Sequence, residues 1–523
     1  MKKILLFTAV LCVHFSFSQS PAVWQMDYGS SGDDYASAGS VTPDGGYTII
    51  GQRYMGSNAT DILVSKLNQN GQVSWSKAYG TVQFEAGYDI ANCTDGGYIL
   101  VGRAETIGTV YNDVYLTKVD ANGTMQWSKT FGGPTEDVGK WVTQTPDGGF
   151  VVAGYTESIG THNSDQLLFK VDGSGNLLWY KTYGSGAYDD GMWAQTMPDG
   201  GFVIVGATYG SGAGGEDVLV TRTDANGIMQ WSRAIGGQGD DYAYGAKALA
   251  TGEVIVTAHT NSFGAGGADI LLFKVDIFGN VIWDKTYGGT SHDFGRSVTA
   301  LSDGSIVVLG YSLSFGAGDW SNFMLKTDAT GNLVWSKLYR TTPINHEMFV
   351  RTVPDGSIFV WASSSSGQFG NVAYCMKADA NGNTGGCLST DIPFTVTTPL
   401  VGQTSGGPEH IVNEVGVNYL TATTVCPTQT EQLCFTGIET SISANQISVY
   451  PNPVSDLLTV TLASSEENNS SVSLSDVSGR IIFSDENFLS GSEINCSSLS
   501  EGIYFISIQS GVERTTQKIS VQH

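Results

Sequence analysis

Seven tryptophans, Trp24, Trp75, Trp127, Trp179, Trp231, Trp283 and Trp335, stand 51 and then five times 52 residues apart, which obliges this chain to repeat one structural unit. A second marker keeps the same step. The turn opened by Asp44-Gly45-Gly46 recurs at Asp95, Asp147, Asp199, Asp303 and Asp355, with Thr251-Gly252 in the one degenerate slot. A basic residue follows the period at Lys66, Lys118, Lys170, Arg222, Lys274, Lys326 and Lys377. Within one unit, the strand-like run Trp141 to Thr145 ends at Asp147-Gly148-Gly149, and Phe150 to Thr156, Gln166 to Val171 and Leu177 to Tyr183 follow it. Asp-Gly and Gly-Gly pairs tolerate the positive φ of tight hairpins. Glycine at 67 of 523 residues, charged residues at 14 % and aromatics at 11 % describe a turn-rich β protein, neither helical nor disordered.

Four antiparallel strands in each unit of about 50 residues predict a β-propeller blade. The expected fold is all-β: a seven-bladed β-propeller over 19–387, closed by the N-terminal strand, plus a C-terminal β-sandwich domain. Closure is read from two complementary deficits. Nine residues after Lys377 the chain has Gly386 in place of an aromatic strand, so the seventh unit lacks its fourth strand. Ala22 to Tyr28 is a fourth strand without its first three, and pairing it beside Asn371 to Lys377 removes open sheet edges. One indole per blade buries about 150 to 250 Å² against its neighbour, so the seven tryptophans are expected to be structural. The run Lys170 to Trp179 resembles the tryptophan-docking motif of quinoprotein-type propellers, and 20–387 resembles the Asp-Gly-Gly/Trp propeller repeats of bacterial exported and surface proteins. The first resemblance concerns packing between blades; the longer unit and the lack of adjacent cysteines leave quinone binding unsupported.

Lys2-Lys3, the apolar run Ile4 to Phe17 and the small residues Ser16 and Ser18 read as a signal peptide over 1–18. The run falls short of the ~20 residues a transmembrane helix needs, and no comparable run exists elsewhere, so no transmembrane segment is expected. Cys93, Cys375, Cys387, Cys426, Cys434 and Cys496 therefore enter an oxidising compartment. Their pairing stays open, with a local bridge among Cys387, Cys426 and Cys434 one arrangement; no zinc-ligand spacing accompanies them. The formal charge of −25, about −27 without Lys2 and Lys3, disfavours nucleic acid and anionic membranes as partners.

Acidic residues also keep the period. Asp34, Glu85, Asp137, Asp189, Asp241 and Asp293 precede the first strand of each unit, with Asn345 in the seventh slot. Asp61, Asp113, Asp165, Asp217 and Asp269 begin the third strand, giving way to Ser321 and Val372. In one reading they form an acidic rim that binds a cationic or sugar ligand or Ca²⁺, a hard cation that wants several oxygens. In the other, each accepts hydrogen bonds from its own glycine-rich loop. No cofactor is otherwise implied. No nucleophile elbow, phosphate loop or zinc motif is present, and no catalytic residue is assigned. Adjacent pairs such as Asp33-Asp34, Asp189-Asp190 and Asp240-Asp241 are the residue types a glycosidase uses, but neighbours on a strand point apart. His162, His259, His292, His346 and His410 share no motif and are taken as loop residues.

After Gly386 the period stops. Residues 388–444, rich in Thr, Pro and Gly, read as a connector or small β element, and 445–523 as a separate module of short alternating runs. Tyr450-Pro451-Asn452-Pro453, Asp476-Val477-Ser478-Gly479-Arg480, Leu499-Ser500-Glu501-Gly502-Ile503-Tyr504 and the late Lys518 resemble the type A sorting domain of type IX secretion. That resemblance implies the type IX machinery as partner, and a protein secreted or held on the outer-membrane surface of a gram-negative bacterium. The leading expectation is a binding or scaffold propeller for a glycan or protein ligand; the alternative is an extracellular glycan-active enzyme, glycosidase- or lyase-like, on the acidic face. Unlike polar and aromatic residues at one funnel favour the enzyme, and seven near-equivalent walls the scaffold.

Overall fold

Every repeated turn is closed by its own cation. Lys66 bonds Asp44 at 2.9 Å, Lys118 Asp95 at 2.8 Å, Arg222 Asp199 at 2.5 Å and Lys377 Asp355 at 2.7 Å. In the degenerate slot Lys274 turns to Glu253 instead, at 3.2 Å, so the clamp survives the loss of its usual aspartate. These clamps pin the second and third strands of each unit into antiparallel sheets. The computed structural model describes 23–399 apart from 29–33, 57–58, 82, 106–110, 161–162, 317–319, 341–343, 367–369 and 385–389; then 402–405, 421–424, 447–450, and 454–522 apart from 463–469, 477–479, 486–491, 498, 501 and 511–512. The signal peptide 1–18, Cys387, Cys426, Cys434, His162, His410, Pro451, Asn452, Pro453 and Gly479 lie outside these residues. The described residues are all β and turn, without a helix long and apolar enough to cross a membrane.

The chain forms two units, 1–437 and 438–523. In the first, the described residues form seven sheets, six of them built around four strands consecutive in sequence. Sheet 1 comprises Asp34–Val41, Tyr47–Gly56, Ala59–Leu67 and Val73–Tyr79. Sheets 2 to 6 open with Glu85–Asn92, Asp137–Gln144, Asp189–Thr196, Asp241–Ala248 and Asp293–Ala300 and follow the same order. Sheet 7 comprises Ile344–Thr352, Ile358–Ser366, Gly370–Ala378 and then Trp24–Tyr28, with Trp24 opposite Lys377 and Tyr28 opposite Ala373. Each first strand touches the first strand of the next sheet, and that of sheet 7 touches that of sheet 1, so the contacts return to their start.

The tryptophans make the same circuit. Each lies over a positive-φ glycine in the last turn of the following sheet: Trp24 over Gly71, Trp75 over Gly123, Trp127 over Gly175, Trp179 over Gly227, Trp231 over Gly279, Trp283 over Gly331 and Trp335 over Gly382. A Cβ at these glycines would come within 2.8–3.0 Å of the indole, and φ there is 74–82°. Glycine is thus required twice, for the backbone and for the ring above it. Gly148 has φ 83° but open space around it, which separates the two effects. We expect Gly148→Ala to cost about 1 kcal/mol of backbone strain and Gly227→Ala, which also displaces Trp179, about 2–4 kcal/mol. Equal losses in denaturant melts would refute the packing role of the indole.

The stretch expected as a connector or small β element contributes short strands to the sheets before it. Thr390–Asp391 pairs with the outer strand of sheet 6, Thr395–Thr397 with that of sheet 5, Gly402–Ser405 with that of sheet 4 and Thr421–Thr424 with that of sheet 2. An outer strand presents unpaired N–H and C=O groups, and threonine-rich extended segments satisfy them.

The second unit has two antiparallel sheets, one of three strands and one of four. They share a core that includes Val454, Leu458, Val460, Val472, Leu474, Ile494, Cys496, Ile506 and Ile519. Of the motif residues, Tyr450 ends the strand Ile447–Tyr450, and Lys518 lies in Glu513–Val521 opposite Phe505. Tyr504 is buried and its Oη donates to the Ser500 carbonyl at 2.8 Å, whereas Arg480 is exposed. Gly502 opens the strand Gly502–Ser510 with φ 156°.

Candidate functional site

The six carboxylates expected on a rim are buried: Asp34, Glu85, Asp137, Asp241 and Asp293 are 0 % exposed and Asp189 1 %. Asp137 accepts from Gly133 N at 2.8 Å and Ser158 Oγ at 2.6 Å, Asp241 from Gly237 N at 2.8 Å and Ser262 Oγ at 2.6 Å, and Asp293 from Gly289 N and Ser314 Oγ at the same lengths. Asp189 accepts from Ser185 N at 2.5 Å, and Glu85 from Thr81 Oγ1 at 2.5 Å. Of the two readings of these acids, the geometry is that of the bond to the residue's own loop. These groups tie down their own loops, because a short side chain at a strand start reaches the preceding turn before it reaches solvent. Among the described residues no three His, Cys, Asp or Glu side chains converge as metal ligands.

The third-strand acids come up beside them. A Cβ at Gly236 would touch Asp217 at 2.0 Å and Asp241 at 2.6 Å, and at Gly132 it would meet Asp113 at 2.0 Å and Asp137 at 2.9 Å. Burial, reinforced by the neighbouring carboxylate, lifts Asp137, Asp217 and Asp269 to about 6. A folded-state pKa above the unfolded one means that folding takes up protons. This stabilisation is full below about pH 4 and is lost as pH rises through about 6. Turn carboxylates act oppositely: Lys170 and Thr145 hold Asp147 at about 2, and Asn332 holds Asp328 there, so their contribution fades only as pH falls toward about 2. The melting temperature is therefore expected to peak near about pH 4 and to decline toward neutrality. A melt that climbed across that interval would contradict the carboxyl pairs.

A different position of the repeat faces the axis. In six first strands one residue is skipped by the ladder: Ser37, Tyr88, Lys140, Met192, Tyr244 and Arg296, the last five 52 residues apart in succession. Met348 takes the same place in sheet 7, after a wider irregularity between Asn345 and Met348. A bulge turns the extra side chain out of the alternating pattern, and such re-aiming is common next to functional sites. All seven residues line one cavity of about 220 Å³, together with Trp193 and Phe349. Trp193 and Phe349, from sheets 4 and 7, approach with ring centroids 5.2 Å apart. The guanidinium of Arg351 lies 5.1 Å from the Trp193 ring centroid. Lys140 Nζ sits 3.7 Å from the centre of the Tyr88 ring, and the Arg296 guanidinium 3.6 Å from that of Tyr244. Arg296 Nη2 also donates to Tyr311 Oη at 2.5 Å.

Around this cavity the sheets differ. On sheets 5 and 6, Tyr242 stacks with His259 at 6.0 Å, His259 meets Phe294 edge-on at 5.0 Å, and Phe294 contacts Tyr311 and Trp320 at 5.2 and 5.6 Å. Burial and then the charge of Arg296 push His259 down to about 4, so it is a neutral ring at pH 7. His292 stacks on Phe294 from an exposed loop position, as expected of it, whereas His259 lies within the strand Val254–Thr260 and not in a loop. On sheet 4, Asp190 accepts from Ser164 Oγ at 2.6 Å and lies 3.5 Å from Tyr242 Oη. Burial, then the charge of Asp190, lifts Glu216 to about 7.

Recurrence could not find the wall residues, because they occupy the repeat position at which the units disagree. The legible signal was that disagreement: one step of 52 residues carrying Ser, Tyr, Lys, Met, Tyr, Arg and Met.

For the second unit, the family model described as the secretion system C-terminal sorting domain matches 448–522. Those residues are a sorting domain of type IX secretion. The sorting domain marks the chain for export and implies an encounter with the type IX machinery. No curated protein matches the chain. Among solved structures, it is similar to a mutant puromycin hydrolase (17 % identity, TM-score 0.39, covering 72 % of this chain and 55 % of that one). The chain thus spans about half the length of that enzyme. It is also similar to NanB sialidase from Streptococcus pneumoniae (12 %, TM-score 0.35, 71 % and 70 % covered). A third similarity is to PorZ, a surface component of the type IX secretion system of Porphyromonas gingivalis (9 %, TM-score 0.27, 95 % and 100 % covered). All three scores are low, and the site of this chain rests on its own geometry.

Proposed function

We propose that this protein is a secreted or surface-held seven-bladed β-propeller that binds a small ligand in its central cavity, delivered by a C-terminal β-sandwich sorting domain. The circuit of first-strand contacts, the seven indole-on-glycine contacts and the pairing of Trp24–Tyr28 in sheet 7 support the closed wheel. One observation carries the binding role: seven dissimilar side chains at a single repeat position wall one cavity. A purely architectural wheel has no cause to vary that position, whereas a ligand without sevenfold symmetry requires it. A glycan-active enzyme is the second reading, favoured by Glu216, held near neutrality beside Asp190. It lacks support from the cavity itself, whose wall contains no carboxylate pair.

Filling the cavity tests the proposal. On glycan and metabolite arrays, the mature chain is expected to capture a ligand that Met192→Trp abolishes and that Phe278→Ser, on an exposed turn, leaves intact. Capture unaffected by Met192→Trp would refute a central site. Turnover lost in Glu216→Gln with binding retained would promote the enzyme.

A further inference from the structure

We infer that the cavity takes a small organic anion, a carboxylate of about monosaccharide size, held by Lys140 and Arg296; this rests on the central-cavity reading above. The charge balance points there first. The chain carries 50 acidic against 25 basic residues, yet no Asp or Glu lines the cavity while a lysine and an arginine do. Most other cations of the first unit follow the repeat: seven clamp the Asp-Gly turns, and Lys77, Lys129, Lys181, Arg233, Lys285 and Lys337 recur on the outer strands. Lys140 and Arg296 break the pattern, and both fall on the bulge that aims inward.

Their setting is preorganised. Arg296 is fixed by Tyr244 beneath its face and by Tyr311 at Nε and Nη2, and it makes no ion pair among the described residues. A stacked guanidinium keeps its remaining edge for a planar, bidentate acceptor, which is carboxylate geometry. Lys140 over Tyr88 lies three sheets around the circuit from Arg296, so two cation-on-tyrosine pairs stand on opposite arcs of the wall. Three residues further along the first strands of sheets 5 and 7 are Lys247 and Arg351. Lys247 has no ion pair or hydrogen bond among the described residues, and Arg351 packs against Trp193 and Phe349, which line the cavity. Asp89 lies beside Arg351, with Glu216 and Asp190 further round; burial raises Asp89 to about 7, and Arg351 opposes that rise. The lining of the cavity thus carries two cations and no carboxylate inside an acidic protein, a local balance that favours anions. A volume of 220 Å³ holds roughly seven waters, the space of one sugar or aromatic acid.

The test is calorimetry on the mature chain at fixed ionic strength, with glucuronate, benzoate and acetate against glucose and benzyl alcohol. Carboxylates are expected to bind and their neutral counterparts not. Lys140→Met and Arg296→Met should each raise Kd by about tenfold to a hundredfold, the loss of one charge-assisted contact, with the melting temperature held. Lys140→Arg should retain binding. Neutral and acidic members binding alike, or either methionine variant binding as wild type, overturns the anion and leaves the cavity reading standing. Heat that persists in Met192→Trp overturns both. No heat from any carboxylate also overturns the anion, since acetate is small enough to enter any such site.

Discussion

A chain begun at Gly29 is expected to lose cooperative folding of its first unit. The missing strand supplies five ladder partners to Gly370–Ala378, together with Tyr28, which is 2 % exposed and donates from Oη to the Gly71 carbonyl at 2.5 Å. Removing a buried large aromatic costs about 3–5 kcal/mol, and each lost backbone bond roughly 0.5–1.5 kcal/mol. Together these are comparable with the whole stability of a domain, about 5–15 kcal/mol. The damage also reaches sheet 1, because Trp24 packs on Gly71 and lies edge-on to Tyr47 at 5.8 Å. An open third strand in sheet 7 would then offer an unprotected edge for aggregation. Urea melts and light scattering read the result, and a synthetic peptide spanning 22–29 should restore the folded signal in trans. Tyr28→Phe, which removes only the hydroxyl, should cost about 1 kcal/mol. A truncated chain that melts like the full one would refute the stitching role of the leading strand.

Deleting 438–523 is expected to abolish appearance of the protein outside the cell while leaving the first unit folded. The two units separate in their contacts at 437/438, and the second has a core of its own, so the cut removes no side chain from the seven sheets. Fractionation should find the shortened chain retained behind the outer membrane, with a far-UV spectrum and melting temperature close to those of the remaining unit in the full chain. Export at the ordinary level without 438–523 would show that another segment carries the address. Placing Tyr504→Ala in the intact chain separates recognition from deletion: it empties a buried position and breaks the bond to Ser500. It is expected to lower export by destabilising the sorting domain, at about 3–5 kcal/mol for a buried aromatic.

Legibility followed recurrence. Trp24 could be paired with sheet 7 before any coordinates, because both the missing strand and the spare one were visible as breaks in a period. The basic residue at every step was visible too, although its purpose was not: only proximity shows that Lys274 reaches Glu253 when the usual aspartate is absent. The acids Asp34 to Asp293 were equally regular, and the sequence left open whether they form a rim or bond their own loops. Periodicity says that a residue recurs and is silent on whether its side chain turns to solvent or into the preceding loop. The segment Thr390 to Thr424 carried no period, and its partners lie from about fifty to nearly three hundred residues upstream, so its addition to four outer edges had no local signal.

By itself the order of residues determined the repeat, which turns close its units and which module directs export, since each depends on short-range chemistry repeated or clustered along the chain. Tertiary structure alone decided that the bulged residue of six first strands, together with Met348 of the seventh, lines one cavity. There, side chains from seven distant stretches meet, and two cations and four aromatic rings become neighbours. The reason is geometric: a bulge inverts the in-and-out alternation of a strand, and convergence on an axis brings together residues that no window along the sequence contains.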